Sequence, residues 1–262
     1  MPPQVRTALA GGLLVAEALH RRGQSVLVHC SDGWDRTAQV ATLAQLLLDP
    51  FFRTARGFCC LVAKEWGAFG HQFAARCGHG SERTDDVEAA PVFLLLLDAV
   101  TQLVRLFPAA FEFSPRLPLL LAHHAFSCRF GTFLGDCERE RTLAGLPYRT
   151  PSLWGHVLAR RGDWASPAYA AAVAAGVVPD ALLPHPVVVL RGVALWDDWF
   201  LRYAPVACLA ECWPPAVVSG PVAAASSGGG GGAAAAAAAA DCYPEGSYDR
   251  AALAAARSPG ML

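Results

Sequence analysis

Apolar positions recur at helical spacing along residues 5–22, with Val5, Leu9, Leu13, Val15, Ala16 and Leu19 in the periodic places. Arg21-Arg22-Gly23 closes that stretch with positive charge and a glycine, a combination suited to a helix C-terminus. Residues 25–29, Ser-Val-Leu-Val-His, are short, apolar and β-branched, which predicts a buried strand of the parallel type. Residues 37–48 carry an apolar helical pattern that Asp49-Pro50 stops. The predicted order is therefore helix, strand, loop, helix.

An aromatic-rich stretch follows at 51–79, then a polar break at 81–88. Further helices are predicted at 91–106 and around 117–127, the first of them as core. Residues 145–203 are mixed, and Trp154, Trp164, Trp196 and Trp199 there predict packed but irregular structure. Beyond residue 204 the pattern fades into Ser226-Ser227, five glycines (228–232) and eight alanines (233–240). Alanine favours helix by propensity, yet a short helix with no face to pack is marginal, so 215–262 is expected to be mostly disordered. The expected organisation is a globular part over 1–203 and a low-complexity tail over 204–262.

Composition narrows the function classes. The chain has 262 residues, 54% hydrophobic and 16% charged, with a formal net charge of -1. That is enough to bury a core, and it excludes a strongly basic nucleic-acid binder. Fifty Ala and 20 Arg against the single Lys64 look like a coding bias, so arginine carries less chemical information here than usual. The longest apolar run, 91–107, is broken by Asp98, Gln102 and Arg105 and falls short of the ~18 residues of a membrane span. Residues 8–20 are apolar, but Arg21 and Arg22 follow them and not a small-residue cleavage site. Nine cysteines without framework spacing fit reduced thiols and a cytoplasmic setting. Cys208, Cys212 and Cys242 lack a fourth ligand, so neither a metal nor another cofactor is expected.

One short pattern carries chemistry. In a Cys-x5-Arg loop a thiolate can attack phosphorus while backbone amides and the guanidinium hold the phosphate oxygens. By itself the spacing means little, because roughly 0.7 chance matches are expected in this composition. It occurs twice, at Cys30-Ser31-Asp32-Gly33-Trp34-Asp35-Arg36 and from Cys77 to Arg83. The first lies between a predicted strand and a predicted helix, which aims amides and a helix N-terminus at an anion. Gly33 lets the backbone curl, and the local field should lower the Cys30 pKa by two or three units. The second runs into Glu82, Asp85, Asp86 and Glu88, which repel phosphate, and reads as a chance spacing.

The segment His29-Cys30-Ser31-Asp32-Gly33-Trp34-Asp35-Arg36-Thr37 resembles the signature of the myotubularin family of phosphoinositide 3-phosphatases. The resemblance continues through Asp49-Pro50-Phe51-Phe52-Arg53-Thr54, Phe69-Gly70-His71-Gln72-Phe73, Arg76-Cys77-Gly78-His79 and Ser127-Cys128-Arg129-Phe130-Gly131-Thr132-Phe133. It covers about residues 8–203 and weakens after 150. Arg76-Cys77-Gly78-His79-Gly80 and Ser247-Tyr248-Asp249 look closest to the FYVE-bearing subgroup.

The resemblance implies removal of the 3-phosphate from phosphatidylinositol 3-phosphate or 3,5-bisphosphate through a phosphocysteine intermediate. Cys30 then acts as nucleophile and Arg36 as phosphate clamp, with the amides from Ser31 to Arg36 as cradle. Asp35 is the candidate general acid and base; the alternative is a structural carboxylate that holds the loop. Ser31, Asp32, Gly33 and Trp34 are the candidate substrate contacts. His29 reads as structural. His71, Arg76 and His79 are candidates for a basic rim against an anionic membrane, or for ordinary packing roles. The implied partners are a phosphoinositide in a membrane surface and other myotubularins in homo- or hetero-oligomers. The implied location is peripheral, on endosomal or other internal membranes.

The family's N-terminal membrane-binding domain and the first half of its phosphatase domain have no counterpart ahead of residue 25, and no FYVE-type run of Cys pairs appears. The expected fold is thus an incomplete α/β cysteine-phosphatase-like fold, mostly α-helical around one catalytic strand-loop-helix. A parallel strand without neighbours leaves buried backbone groups unpaired at about 1–3 kcal/mol each. The expectation is that the isolated chain folds poorly or needs a partner, with a non-catalytic module pairing with a full-length relative as the alternative function.

Overall fold

The computed structural model describes residues 2–79 and 88–203. Its described residues fall into two units, a compact one that ends at Trp196 and a second one that begins at Asp197. The tail over 204–262, the segment 80–87, and with them Arg83, Cys208, Cys212, Cys242 and 247–249 lie outside the described residues.

Helix α1 runs Pro2–Arg22 and buries Val5, Ala8, Leu9, Leu13 and Ala16, one face of a 3.6-residue period. His20, Arg21 and Arg22 fill its last turn, where positive charge complements the exposed carbonyls, and the chain leaves through Gly23. Helix α2, Arg36–Leu48, packs its Leu43 face on α1. A Cβ on Gly12 would stand 2.7 Å from Leu43 Cβ, so the close approach of the two helices depends on glycine there.

Asp49 leaves α2 in an extended conformation and its side chain accepts from Phe51 N–H, starting a 3-10 turn over Pro50–Arg53. Thr54 then caps α3, Ala55–Val62, by accepting from Gly57 N–H. The wound segment Ala63–Ala68 carries Trp66 into the core, where its indole donates to Thr42 Oγ1 at 2.9 Å. Arg53 is fully buried and donates to the carbonyls of Leu46, Leu47, Ala110, Pro179 and Asp180. It knits four separate stretches of backbone together by satisfying carbonyls that have no helical partner.

After the short α4, Phe73–Cys77, comes the central helix α5, Val92–Leu106, buried on most of its circumference. Its polar interruptions are paired inside the core. Gln102 donates to Asp98 at 2.7 Å and exchanges hydrogen bonds with the Ala194 backbone. Helix α6, Arg116–Ser127, packs on α5. Short helices follow: α7 Glu138–Leu143, α8 Leu146–Arg149, α9 Leu153–Ala159, α10 Arg161–Trp164, α11 Pro167–Ala174 and α12 Pro186–Gly192. The described part of the second unit holds α13, Asp197–Phe200.

The helices expected from periodicity at 5–22, 37–48, 91–106 and 117–127 all form, each within a few residues of its predicted ends. The catalytic strand does not. Residues 23–30 have no regular structure, and 25–29 are largely exposed, Leu27 at 86%. Among the described residues β pairing is limited to a bridge between Phe113 and Ala165. The correction has a plain cause: a strand exists only through ladder hydrogen bonds to a neighbour, and none of the described residues lies alongside. The described fold is therefore mostly helical around a loop-helix.

Candidate active site

Residues 30–36 join the extended segment to the first turn of α2. Gly33 sits at φ +95°, a backbone conformation in which other residues are strained. That turn folds the loop back, so Gly33 N–H donates to Cys30 Sγ at 3.3 Å. Across the loop, Arg36 Nη2 donates to Ser31 Oγ at 3.1 Å, and Ser31 Oγ donates to Asp32 Oδ2 at 2.8 Å. Ser31, Asp32, Gly33 and Arg36 are exposed and Cys30 is partly so, leaving the loop open to an incoming ion.

The Cys30 thiol is pulled down to about 6, first by the Thr37 hydroxyl, then by the N–H groups of Gly33, Thr37 and Asp32, which together outweigh the effect of burial. Thr37 Oγ1 is buried with no other partner, so its proton is free to turn to the sulfur. A thiol at that level is mostly thiolate at neutral pH, the form that attacks. Cys77, with the same spacing to an arginine, has a different chemical environment. It lies against an apolar recess of Phe93, Leu94, Leu97, Ala122, Ala125 and Phe126. Burial first, then Cys128 and Asp136, pushes its thiol up to about 12.

Asp35 stands at the N-cap of α2 but makes no capping hydrogen bond. Its carboxylate turns instead to the segment before and within α4. Arg76 grips Oδ2 with Nε at 3.2 Å and Nη2 at 2.9 Å, while its Nη1 reaches the Glu88 carboxylate and carbonyl, both at 2.7 Å. His71 Nδ1 lies 2.9 Å from Oδ1 and donates its better-aligned hydrogen bond, at 3.2 Å, to the Trp34 carbonyl. Burial works to raise the Asp35 carboxyl, but the His71 and Arg76 donors and their charge hold it below the usual carboxylate range.

Of the two roles open to His71, Arg76 and His79, a basic rim or ordinary packing, the fold favours packing and pairing. His71 is fully buried among Trp66, Phe73 and Phe93, and His79 Nε2 lies against the Ala125 carbonyl. Trp34 is half-buried, with its indole N–H enclosed, and His29 is exposed. Sequence reasoning overlooked the hydroxyl of Thr37 and the grip of His71 and Arg76 on the loop. Thr37 stands inside the signature segment, so it was within reach; the pairing of positions 35 and 76 has no local signal at all. Among the described residues no group of three or more His, Cys, Asp or Glu is placed to hold a metal, and no helix is long and apolar enough to cross a membrane.

Residues 3–142 match the myotubularin-like phosphatase domain. The chain is 43% identical over 201 residues to the phosphatidylinositol-3,5-bisphosphate 3-phosphatase MTMR2 of Pongo abelii, covering 77% of this chain and 30% of that protein. It is 41% identical over the same length to the myotubularin of Rattus norvegicus, covering 32% of it. The chain thus spans about a third of the length of the curated relatives it matches.

Proposed function

Because the chain belongs to the myotubularin family of phosphatases, we propose that it supplies the catalytic loop of a phosphoinositide 3-phosphatase acting through a phosphocysteine. The substrates are phosphatidylinositol 3-phosphate and phosphatidylinositol 3,5-bisphosphate, met at the surface of endosomal or other internal membranes. The fold is an α/β cysteine-phosphatase-like one, of which residues 1–203 form the latter part. Homo- or hetero-oligomers with other myotubularins are part of the reading, and residues 204–262 are a low-complexity tail.

In the first step the Cys30 thiolate attacks phosphorus, the S–P bond forms and the P–O3 bond breaks, and the inositol oxygen takes a proton from Asp35. Arg36 and the amides of Ser31, Asp32, Gly33, Trp34 and Asp35 carry the charge on the phosphoryl oxygens. In the second step water attacks phosphorus, its proton returns to Asp35, and phosphate and the thiolate separate. Asp35 is an anion in the free loop, which suits the second step. A substrate phosphate beside it disfavours a second negative charge and draws a proton onto it for the first. Asp32 orients the loop or contacts the inositol ring, and Trp34 packs on the ring or wedges the loop.

The observation that carries this reading is the loop itself: an activated thiol, an inward Gly33 N–H and Arg36 folded back over Ser31, all within seven residues at the start of α2. Phosphate release from phosphatidylinositol 3-phosphate in vesicles tests it, with Cys30→Ser expected to reduce release to background. Release unchanged in Cys30→Ser, or preference for a phosphotyrosine peptide, overturns it.

A second reading has its own support. The apolar residues 25–29 lead straight into the nucleophile with no β partner among the described residues, Val26 and Leu27 being 37% and 86% exposed. Such a segment suits pairing with another chain, which favours a non-catalytic interaction module joined to a full-length relative. Co-purification with that relative, without turnover by this chain, distinguishes it.

A further inference from the structure

Asp35 is held from outside its own loop, by residues 36 and 41 positions further along the chain. Both holders are themselves fixed. The His71 ring is packed edge-on against Trp66 and Phe73, with ring centres 4.7 and 4.8 Å away, and has no exposure. A carbonyl only accepts, so the bond to Trp34 puts a proton on Nδ1, and that N–H pins the backbone beside Asp35. Arg76 spends two donors on Asp35 and anchors a third nitrogen on Glu88, so it cannot follow Asp35 outward without breaking charge-assisted bonds. An N-cap aspartate whose carboxylate ignores its own helix is available for this grip.

We propose that His71 and Arg76 are positioning residues, which hold the Asp35 carboxylate and the backbone beside it in one orientation until a phosphate arrives beside the loop. The inference rests on the phosphatase reading for its place in catalysis, while the grip on Asp35 stands on the geometry. The charged and titratable groups facing Asp35 are His71 from the segment before α4 and Arg76 from α4. Glu88 lies beyond Arg76, and Asp136 accepts from Ala75 N–H on α4 at 3.0 Å. The Arg76 donors on Oδ2 and the His71 Nδ1 beside Oδ1 oppose the protonation of Asp35, and an added phosphate favours it. Substrate arrival and proton uptake are therefore coupled through this carboxylate.

The test is an infrared titration of the carboxylic C=O band, taken as the full chain minus Asp35→Asn, with and without inorganic phosphate. Expected results are an upward shift of the Asp35 midpoint with phosphate and an upward shift in Arg76→Met. His71→Phe shifts it upward less, Arg76→Lys largely restores the wild-type midpoint, and Glu88→Gln moves it downward by removing a competing anion from Arg76. The Glu88 side chain is 64% exposed, so its replacement leaves the packing around Asp35 intact, and loss of stability in Arg76→Met leaves the inference testable. In turnover, Arg76→Met is expected to lower kcat about tenfold or more with KM within about twofold, and to move the basic limb of the pH profile upward. An Asp35 midpoint that stays at the wild-type value in both Arg76→Met and Glu88→Gln overturns the inference. Failure of the phosphatase reading shows itself separately, as no phosphate release by any of these proteins while the infrared midpoints still move.

Discussion

Cys30 and Cys77 each precede an arginine by the same five intervening residues, yet the fold gives them opposite chemistry. Around Cys30 the chain is exposed, its backbone bends at a left-handed glycine, and donors converge on the sulfur. Around Cys77 the neighbours are aromatic and aliphatic, with Cys128 and Asp136 adding repulsion, and the thiol is held protonated. The comparison teaches that a nucleophile is made by the donors that stabilise its anion. Spacing to a guanidinium contributes only when the backbone between the two residues is curled toward the same point.

The largest expected effect is the contrast in alkylation itself. At pH 7 the Cys30 site carries on the order of 10⁵ times more thiolate than Cys77, offset by roughly 10³ in intrinsic nucleophilicity. Iodoacetamide should therefore label Cys30 about 10² times faster or more, with a half-maximal rate near pH 6. The direction follows from the lowered pKa: thiolate predominates above about 6, and the stability it lends the loop is full above the usual thiol range and lost as pH falls through about 6. Mass spectrometry of the labelled peptides checks this, and equal labelling of the two cysteines would sink the comparison.

Breaking the contrast from the Cys77 side requires opening its recess. Phe93 is buried at the centre of Trp66, His71, Phe73 and Phe133, and it also lines the recess. Phe93→Ala is expected to cost about 3–5 kcal/mol in a denaturant titration and to make Cys77 reactive. From the Cys30 side, Thr37→Val removes the largest stabilising contact and should raise the thiol by about one unit, a roughly tenfold fall in labelling at pH 5. Gly33→Ala is the mildest. It meets no neighbouring atom, so its effect is confined to strain at φ +95°, about 1–2 kcal/mol, with a few-fold loss of labelling and an intact fold.

Much of the helical framework was legible in the pattern of apolar positions. Residues 5–22, 37–48, 91–106 and 117–127 each bury one face or nearly all of themselves, and period and length announce that directly. The loop chemistry was legible as well, because Cys30, Gly33 and Arg36 are neighbours in the chain and their geometry is local. The strand at 25–29 was misread because β-branched apolar residues report a preference, while pairing depends on a neighbour that no local pattern supplies. Arginine was equally opaque: Arg36 faces the loop, the buried Arg53 donates to five carbonyls and Arg76 grips a carboxylate, and nothing in composition separates the three.

The sequence by itself determined which segments are helical, where they stop, and which cysteine is followed by a loop that turns back at a glycine. Those properties depend on interactions spanning a few residues. Tertiary structure alone decided that Asp35 is gripped by Arg76 with His71 beside it, that the second Cys-x5-Arg cysteine lies against an apolar recess, and that the approach to the nucleophile has no β partner among the described residues. Each of these depends on a contact, or a missing one, between residues far apart in the chain, and such contacts exist only once the helices have packed.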